Sequence, residues 1–356
     1  MFDFINNFGV PLQIVCFIAL LGIGTLFLVK FCDFFVDSAC VIAKKLHVSP
    51  LIIGLTIVAM GTSCPELAVS TSDSIATLID GGNANVALGN VVGSNICNIL
   101  LVLGLCSIFS PVAVKKSIVK RELPILLGVS ALLVVFGCFF GIDGSAYAIT
   151  RWEAIIFFIL IIAYLTYVVL SAKREKALDL GDGSAPEDKG EEPEIKDMSL
   201  VKAILVCVVG IAGIILGGEM VVSGAKGLAM HGAIAAGIDH DLTEALVGLT
   251  IVAVGTSLPE LVTSVIAAKK GQNDLALGNV VGSNIFNILF ILGIAGTVNP
   301  LTTGSQIVID LIVMMVATVI LFVMSLNHRL ERWNGIIFIS LYVAYLSYLV
   351  IRTVIS

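Results

Sequence analysis

Two glutamates, Glu66 and Glu260, each end a copy of nearly the same sequence within a long apolar stretch. Residues 54–66 read GLTIVAMGTSCPE and residues 248–260 read GLTIVAVGTSLPE, with eleven of thirteen positions identical. An ionisable group deep in a membrane is costly, so such a residue is by default a functional candidate. No Lys or Arg lies deep inside an apolar stretch to pair with these acids. We therefore expect a bound cation to be their partner.

A proline stands directly before each glutamate. Proline lacks an N–H and displaces the carbonyl four residues earlier, which here belongs to Gly61 or Gly255. A freed carbonyl in a membrane is tolerated only where something satisfies it, and a cation would do so. Hydroxyls three and four residues before each glutamate share its helix face. They belong to Thr62, Ser63, Thr256 and Ser257.

A second duplicated block adds amides and further hydroxyls. Residues 87–100 read ALGNVVGSNICNIL and residues 276–289 read ALGNVVGSNIFNIL, with thirteen of fourteen positions identical. Polar residues recur every fourth position and so form one stripe on each helix. The two stripes are Asn90, Ser94 and Asn98, and Asn279, Ser283 and Asn287. We expect the last two residues of each stripe to face the glutamate pair, while Gly89, Gly93, Gly278 and Gly282 allow close helix packing.

These groups form an all-oxygen donor set with two carboxylates. Hard cations prefer such ligands, and Ca²⁺ takes about six to eight of them. All four histidines lie at the edges of apolar stretches, which disfavours zinc or copper. The charge of the two carboxylates can be neutralised by one Ca²⁺ or by two Na⁺, but both ion types cannot be held fully at once. Mutually exclusive occupancy of this kind is the physical basis of ion exchange.

The composition places these residues in a membrane. Of the 356 residues, 58% are hydrophobic and 13% are charged, whereas a soluble domain carries roughly 25% charged residues. The net charge of −6 excludes a basic nucleic-acid surface, and the apolar content excludes a disordered chain. The eight cysteines form no CxxC pair and are expected to be buried free thiols. The predicted class is an all-α polytopic membrane protein.

Ten stretches are long and apolar enough to span a bilayer, which needs about 20 residues. Sixteen of the 20 Lys and Arg residues fall in the odd-numbered loops between these stretches. By the positive-inside rule, the odd loops are cytoplasmic and both termini lie outside the cell membrane. Asp33 and Asp37, with Lys30, are expected to form an interfacial charge cluster. The predicted spans are 11–30, 49–79, 84–110, 123–142, 154–172, 202–225, 245–268, 274–297, 305–326 and 333–351.

The duplicated blocks divide the chain into two halves, 1–172 and 201–356. Each half holds five predicted spans, and an odd number makes the second half enter the membrane from the opposite side. The halves are therefore predicted to be inverted repeats, an arrangement found in many secondary transporters with the substrate site at the repeat interface. Between them, segment 173–200 carries nine acids and five bases by residue 198. It is expected to be a solvated cytoplasmic linker, and it contains no EF-hand pattern.

The two blocks resemble the α-repeats of the cation/Ca²⁺ exchanger superfamily, and most closely those of its prokaryotic sodium/calcium exchanger branch. The likeness is most specific at GTSCPE and GTSLPE, and at GNVVGSNICN and GNVVGSNIFN. It implies that Glu66 and Glu260 are the central Ca²⁺ and Na⁺ ligands. It also implies that the first and sixth helices, about 11–35 and 202–230, slide past the others to alternate access. The further ligands it implies are Thr62, Ser63, Thr256, Ser257, Ser94, Asn98, Ser283 and Asn287.

The resemblance also implies which ion movements are coupled to that of Ca²⁺. Some members, the potassium-dependent ones among them, carry Asp where this chain has Asn287, so a K⁺ requirement is disfavoured. The usual ratio of three Na⁺ to one Ca²⁺ moves one net charge, worth about 2.3 kcal/mol per 100 mV. The expected function is thus electrogenic Na⁺/Ca²⁺ antiport, with no cofactor and no enzymatic activity. The expected partners are the two ions and the lipid bilayer, without nucleic acid and without a required protein partner.

Three alternatives stay open at this stage. One is an exchanger that couples Ca²⁺ or another divalent cation to H⁺ or K⁺. A second is an intramembrane hydrolase with Ser63 or Ser257 as its nucleophile, which would need a base such as His or Lys in the membrane. A third is a cation channel, since acidic residues can line pores. A pair of proline-broken helices fits alternating access better than a pore.

Overall fold

The computed structural model describes residues 2, 4, 5, 8–80, 86–139, 148–179, 198–235, 253–302 and 307–355. Long helices make up nearly all of this part of the chain. The helices of the first half are α1 Val10–Leu46, α2 Pro50–Thr62, α3 Cys64–Ile79, α4 Val86–Phe109, α5 Leu123–Phe139 and α6 Arg151–Asp179. A π-helical turn, Ile118–Glu122, leads into α5.

The second half repeats this order. Its helices are α7 Leu200–Ala235, α8 Ala253–Thr256, α9 Leu258–Lys269, α10 Asn273–Val298, α11 Ile307–Ser325 and α12 Arg332–Ile355. The predicted span 245–268 falls partly outside the described residues, and its described part forms α8 and α9. Most of the predicted linker 173–200 also lies outside them, although α6 continues to Asp179.

Eight of these helices are long and apolar enough to cross a membrane, and the bent pair α2–α3 counts as a ninth. The chain is therefore a multi-pass helical membrane protein. Several helices exceed their predicted spans. With 37 residues, α1 is about 55 Å long at 1.5 Å per residue, well beyond the roughly 30 Å of a hydrocarbon core. Lys226, which the spans placed in a loop, lies within α7.

A helix ends and a new one begins at the serine two residues before each Pro-Glu pair of the duplicated sequence. The axes of α2 and α3 differ by 47°, with Ser63 at the joint in a non-helical conformation (φ −84°, ψ 9°). Ser257 joins α8 to α9 with nearly the same dihedrals (φ −86°, ψ 5°). Pro65 and Pro259 then stand in the first turn of the new helix, where a missing N–H does no harm.

Two short antiparallel ribbons close the ends of the bundle. Strand β1, Val112–Ala113, follows α4 and pairs with β4, Arg329–Leu330, which precedes α12. Strand β2, Ala148–Ile149, precedes α6 and pairs with β3, Leu301–Thr302, which follows α10. Helices α5 and α11 each connect one ribbon to the other, so the ribbons lie at opposite ends of the bundle.

The polar helices α4 and α10 form the centre of the molecule. In the most apolar 18 residues of each helix, 78% of positions are buried in α4 and 94% in α10, against 28% in α1 and 33% in α7. Helix α10 packs on α2 backbone to backbone, since a Cβ on Gly278 would lie 2.8 Å from Leu51 O. Gly278 and Gly282 thus pack closely, as expected. By the same symmetry, Gly89 and Gly93 would pack on the second copy's counterpart of α2. Part of that counterpart, the stretch 248–252, lies outside the described residues.

Helices α1 and α7 pack along each other at the side of this centre. A Cβ on Gly224 would lie 2.7 Å from Phe17 O, and one on Gly210 would lie 3.0 Å from Phe35 Cβ. Since the residue number rises along α1 as it falls along α7, the two helices are antiparallel. Their outer faces carry exposed Leu, Ile and Val side chains, as lipid-facing surfaces do.

Candidate cation-binding site

The two helix breaks bring both glutamates to the centre of the bundle. Glu66 and Glu260 each lie in the first turn of the helix that begins at the break, α3 and α9. Neither side chain has any exposed surface. The N–H groups of a first helical turn have no partner within the helix, and the helix dipole there favours negative charge. The local structure therefore stabilises two carboxylates that would otherwise be costly to bury.

Serines connect the two carboxylates across the repeats. Ser63, which precedes Glu66, donates a hydrogen bond to Glu260 Oε1 at 2.8 Å. Ser257, which precedes Glu260, donates to Glu66 Oε1 at 3.4 Å. Each repeat thus supplies a hydroxyl to the acid of the other. This crossed pattern makes the two halves of the site one unit.

The second block places one buried serine on α4 and one on α10. Ser94 Oγ donates to Glu66 Oε1 at 3.4 Å. Its counterpart Ser283 is fully buried, and its hydroxyl forms no hydrogen bond with the described part of the chain. Ser94 therefore occupies the predicted face of its helix, directed at a glutamate.

A threonine stands directly before each of the crossing serines. Thr62 Oγ1 lies 3.1 Å from Val58 O and 3.1 Å from Asn279 Oδ1, so it links α2 to α10. Thr256 is the last residue of α8, directly before Ser257. Both residues therefore stand next to the serines that cross between the repeats.

The first asparagine of each stripe braces two helices. Asn90 Nδ2 donates to Ser70 Oγ at 3.0 Å, joining α4 to α3. Asn279 Nδ2 donates to Ser264 Oγ at 2.8 Å, joining α10 to α9. Ser70 and Ser264 are absent from the sequence-based set. Both lie four residues after a glutamate, a spacing that could have identified them.

The last asparagine of each stripe forms a hydrogen bond with an asparagine that lies outside the four-residue period of the stripes. Asn98 Nδ2 donates to Asn284 Oδ1 at 3.4 Å, and Asn287 Nδ2 donates to Asn95 Oδ1 at 3.1 Å. Both Asn98 and Asn287 also begin a π-helical turn, Asn98–Val102 and Asn287–Ile291. Such turns widen a helix locally and are frequent at functional sites.

Several oxygens at this centre accept no hydrogen bond from the described part of the chain. They are Glu66 Oε2, Glu260 Oε2, Ser283 Oγ, Asn98 Oδ1 and Asn287 Oδ1. A buried acceptor without a donor costs about 1–3 kcal/mol or more, so a native protein needs a partner for it. Oxygens without donors are what a hard cation coordinates.

Within the described residues, no group of three or more His, Cys, Asp or Glu side chains could hold a metal ion. The donor set is instead two carboxylates with neutral hydroxyl and amide oxygens. The eight cysteines are free thiols, as expected, and five of them are buried. An oxygen site with little charge suits ions that must be released again.

Comparisons with known proteins agree with this class of membrane protein. The family described as sodium/calcium exchanger protein matches residues 16–170 and 202–351. The sodium/calcium exchanger MaX1 of Methanosarcina acetivorans is 35% identical over 353 residues, covering 92% of this chain and 96% of that protein. The inner membrane protein YrbG of Escherichia coli is 38% identical over 284 residues, covering 79% and 80%.

A solved structure of the sodium-calcium exchanger NCX_Mj has the same fold. It superposes with a TM-score of 0.75 at 30% identity, covering 94% of this chain and 99% of that one. Fold and site thus define a multi-pass membrane transporter of cations rather than an enzyme. The chain belongs to the sodium/calcium exchanger family, whose members are antiporters.

Proposed function

We propose that this protein exchanges Na⁺ for Ca²⁺ at one site formed by Glu66 and Glu260. The observation that carries the proposal is the crossed pair of serine–carboxylate hydrogen bonds, with one oxygen of each carboxylate left without a donor. The remaining predicted ligands are Thr62, Ser63, Thr256, Ser257, Ser94, Asn98, Ser283 and Asn287. Their neutral oxygens would replace water around the ion without adding charge.

Charge makes the two ions compete. The two carboxylates together carry two negative charges, which one Ca²⁺ or two Na⁺ would neutralise. Holding one Ca²⁺ and two Na⁺ together would leave two excess positive charges in a low-dielectric interior, where unpaired charge is strongly unfavourable. Each ion therefore leaves before the other can bind fully, and this requirement couples their movements.

The proposed architecture is ten spans in two inverted five-helix repeats. The family match to each half separately supports a duplication. The ribbons support the inversion, because β1 and β3 follow corresponding helices and yet lie at opposite ends of the bundle. The halves would be 1–172 and 201–356, joined by the cytoplasmic linker 173–200, with both termini outside.

We further propose alternating access by movement of α1 and α7. These helices pack along each other beside the site rather than forming it, and they meet through glycines such as Gly24, Gly210 and Gly224. A shift of this antiparallel pair would open the centre to one side and close it to the other. With three Na⁺ per Ca²⁺ and no third acid at Asn287, exchange would be electrogenic and independent of K⁺.

The test is ⁴⁵Ca²⁺ uptake by proteoliposomes loaded with Na⁺. Uptake should appear only with an outward Na⁺ gradient and be unchanged when K⁺ replaces choline outside. An imposed inside-positive potential should speed it, since net positive charge leaves with each cycle. Glu66→Gln and Glu260→Gln should each abolish uptake.

A matched control is Glu153→Gln, a buried acid whose carboxylate accepts a hydrogen bond from Thr150 N at the start of α6. This variant should transport normally, because a glutamine oxygen can accept the same bond. Uptake that ignores the Na⁺ gradient would disprove the coupling. Normal uptake by either glutamine variant of the central acids would disprove the site.

A further inference from the structure

Two crossed asparagine pairs lie at the interface of α4 and α10. Asn95 Oδ1 faces Asn287 Nδ2 at 3.1 Å, and Asn284 Oδ1 faces Asn98 Nδ2 at 3.4 Å. All four side chains are buried. Asn95 and Asn284 occupy the same position in the two duplicated blocks. The pairs are thus equivalent under exchange of the repeats.

The orientation of the Asn95 amide is fixed by the backbone. Asn95 Nδ2 donates to the carbonyl oxygen of Asn284 at 3.3 Å, and a backbone carbonyl can only accept. The Asn95 oxygen must therefore face the other way, toward Asn287 Nδ2. Because this oxygen can only accept as well, Asn287 must present its NH₂ group to Asn95.

This orientation determines which atoms of Asn287 and Asn98 are left for the proposed cation site. With its NH₂ group held by Asn95, Asn287 has its side-chain oxygen buried with no donor among the described residues. Asn98 is left in the same condition by its bond to Asn284. Asn98 and Asn287 lie one helical turn beyond Ser94 and Ser283, and Ser94 donates to Glu66. Without an orienting partner, an amide could equally turn its NH₂ group, a cation-repelling donor, into the site.

We propose that Asn95 and Asn284 are positioning residues, which turn the side-chain oxygens of Asn287 and Asn98 toward the bound cation. The inference rests on the proposed exchange site around Glu66 and Glu260. Asn95 should matter more than Asn284, because its own orientation is fixed by a carbonyl and its bond to the site amide is shorter.

The test is a double-mutant cycle of Asn95→Leu with Asn287→Asp, read as the dissociation constant for ⁴⁵Ca²⁺ binding to the purified full-length protein. Leucine has nearly the size of asparagine but accepts no hydrogen bond. Aspartate presents an oxygen in either orientation and so needs no positioning. Asn95→Leu should weaken Ca²⁺ binding about tenfold in the otherwise wild-type protein and less than twofold in the Asn287→Asp protein.

An effect of equal size in both backgrounds, or none in the wild-type background, would overturn the proposal, since a merely structural role would not depend on residue 287. Asn299→Leu is the control for loss of a buried asparagine away from the site. If Asn95→Leu does not fold, the cycle of Asn284→Leu with Asn98→Asp asks the same question at the other pair. Absence of Ca²⁺ binding by the wild-type protein would refute the proposed function instead.

Discussion

The centre of the molecule and its outer helix pair are held together by different kinds of contact. At the centre, buried hydroxyls, amides and carboxylates join the helices, as where Ser63 donates to Glu260 of α9 and Asn90 of α4 donates to Ser70 of α3. Between α1 and α7, the described residues show no such network, and glycines pack against phenylalanines, for example Gly210 against Phe35. Directional hydrogen bonds fix one geometry, whereas smooth apolar surfaces permit more than one.

This difference separates binding from movement. A change at the centre should alter how tightly the ions are held, and a change between α1 and α7 should alter how fast the protein cycles. A third group of residues, at the end of α9, connects the two regions. Lys270 Nζ lies 2.5 Å from Asp37 Oδ1 and 3.1 Å from Asp33 Oδ1 on α1. Substitutions in each of the three places can therefore test the separation.

The largest effect is expected at the centre, for Ser63→Ala. The hydroxyl donates to a buried carboxylate, and bonds to charged groups contribute about 1.5–3 kcal/mol, so the KM for Ca²⁺ should rise roughly tenfold. Ser257→Ala should raise it less, because its bond to Glu66 is longer, 3.4 Å against 2.8 Å. Initial rates of Na⁺-driven ⁴⁵Ca²⁺ uptake measure both. Ser107→Ala, which loses only a bond to Leu103 O in its own helix, should leave the KM unchanged.

An intermediate effect is expected between α1 and α7, for Gly24→Ala. The added Cβ would lie 2.7 Å from Met220 Cβ and 2.9 Å from Val221 N, and such overpacking costs about 1–3 kcal/mol. The maximal uptake rate should fall about fivefold, with the KM for Ca²⁺ within twofold of wild type. Gly22→Ala is the matched control on the same helix, because no atom lies within 4 Å of its Cβ. A raised KM with an unchanged rate would contradict the separation.

The smallest effect is expected where the two regions connect, for Lys270→Met. Partial burial lowers the pKa of Lys270, but hydrogen bonds and the negative charges of Asp37 and Asp33 raise it by more, so its pKa lies above the ordinary value. The lysine is thus charged at neutral pH, and the ion pair would be lost only as pH rises through that raised pKa. Partly exposed pairs contribute about 0.2–1 kcal/mol.

The maximal uptake rate of Lys270→Met should therefore change about twofold, in either direction, at unchanged KM for Ca²⁺. Lys269→Met, at the neighbouring position where the ammonium lies over the Phe109 ring, provides the comparison. A tenfold rise in KM for Ca²⁺ would show that the charge cluster acts on the site itself.

The duplicated sequence is the reason that the residues of the central site could be predicted. Identical residues at Glu66 and Glu260, and at Ser94 and Ser283, predicted a site shared by two copies of one motif. The crossing of Ser63 to Glu260 could not be predicted, because a sequence repeat does not say which copy its side chains contact. Bonds between residues 197 apart along the chain depend on the packing of whole helices.

Asn95 and Asn284 were not predicted because the sequence argument used only the spacing of residues along a single helix. A stripe with a period of four selects Asn90 and Asn98 but not Asn95, which points to the neighbouring helix of the other repeat. The charge cluster at the end of α1 shows the same limit. Its acids were expected to form an interfacial cluster with Lys30, and among the described residues Lys270 forms ion pairs with both Asp33 and Asp37. Local spacing describes a helix face, and only the packed structure identifies what that face contacts.

The most direct test of the central claim is equilibrium binding of ⁴⁵Ca²⁺ to the purified protein as Na⁺ is raised. Because one Ca²⁺ or two or more Na⁺ satisfy the same two carboxylates, Na⁺ should displace all bound Ca²⁺, and the displacement curve should be steeper than for a single competing ion. Ca²⁺ that remains bound at saturating Na⁺ would contradict a shared site around Glu66 and Glu260.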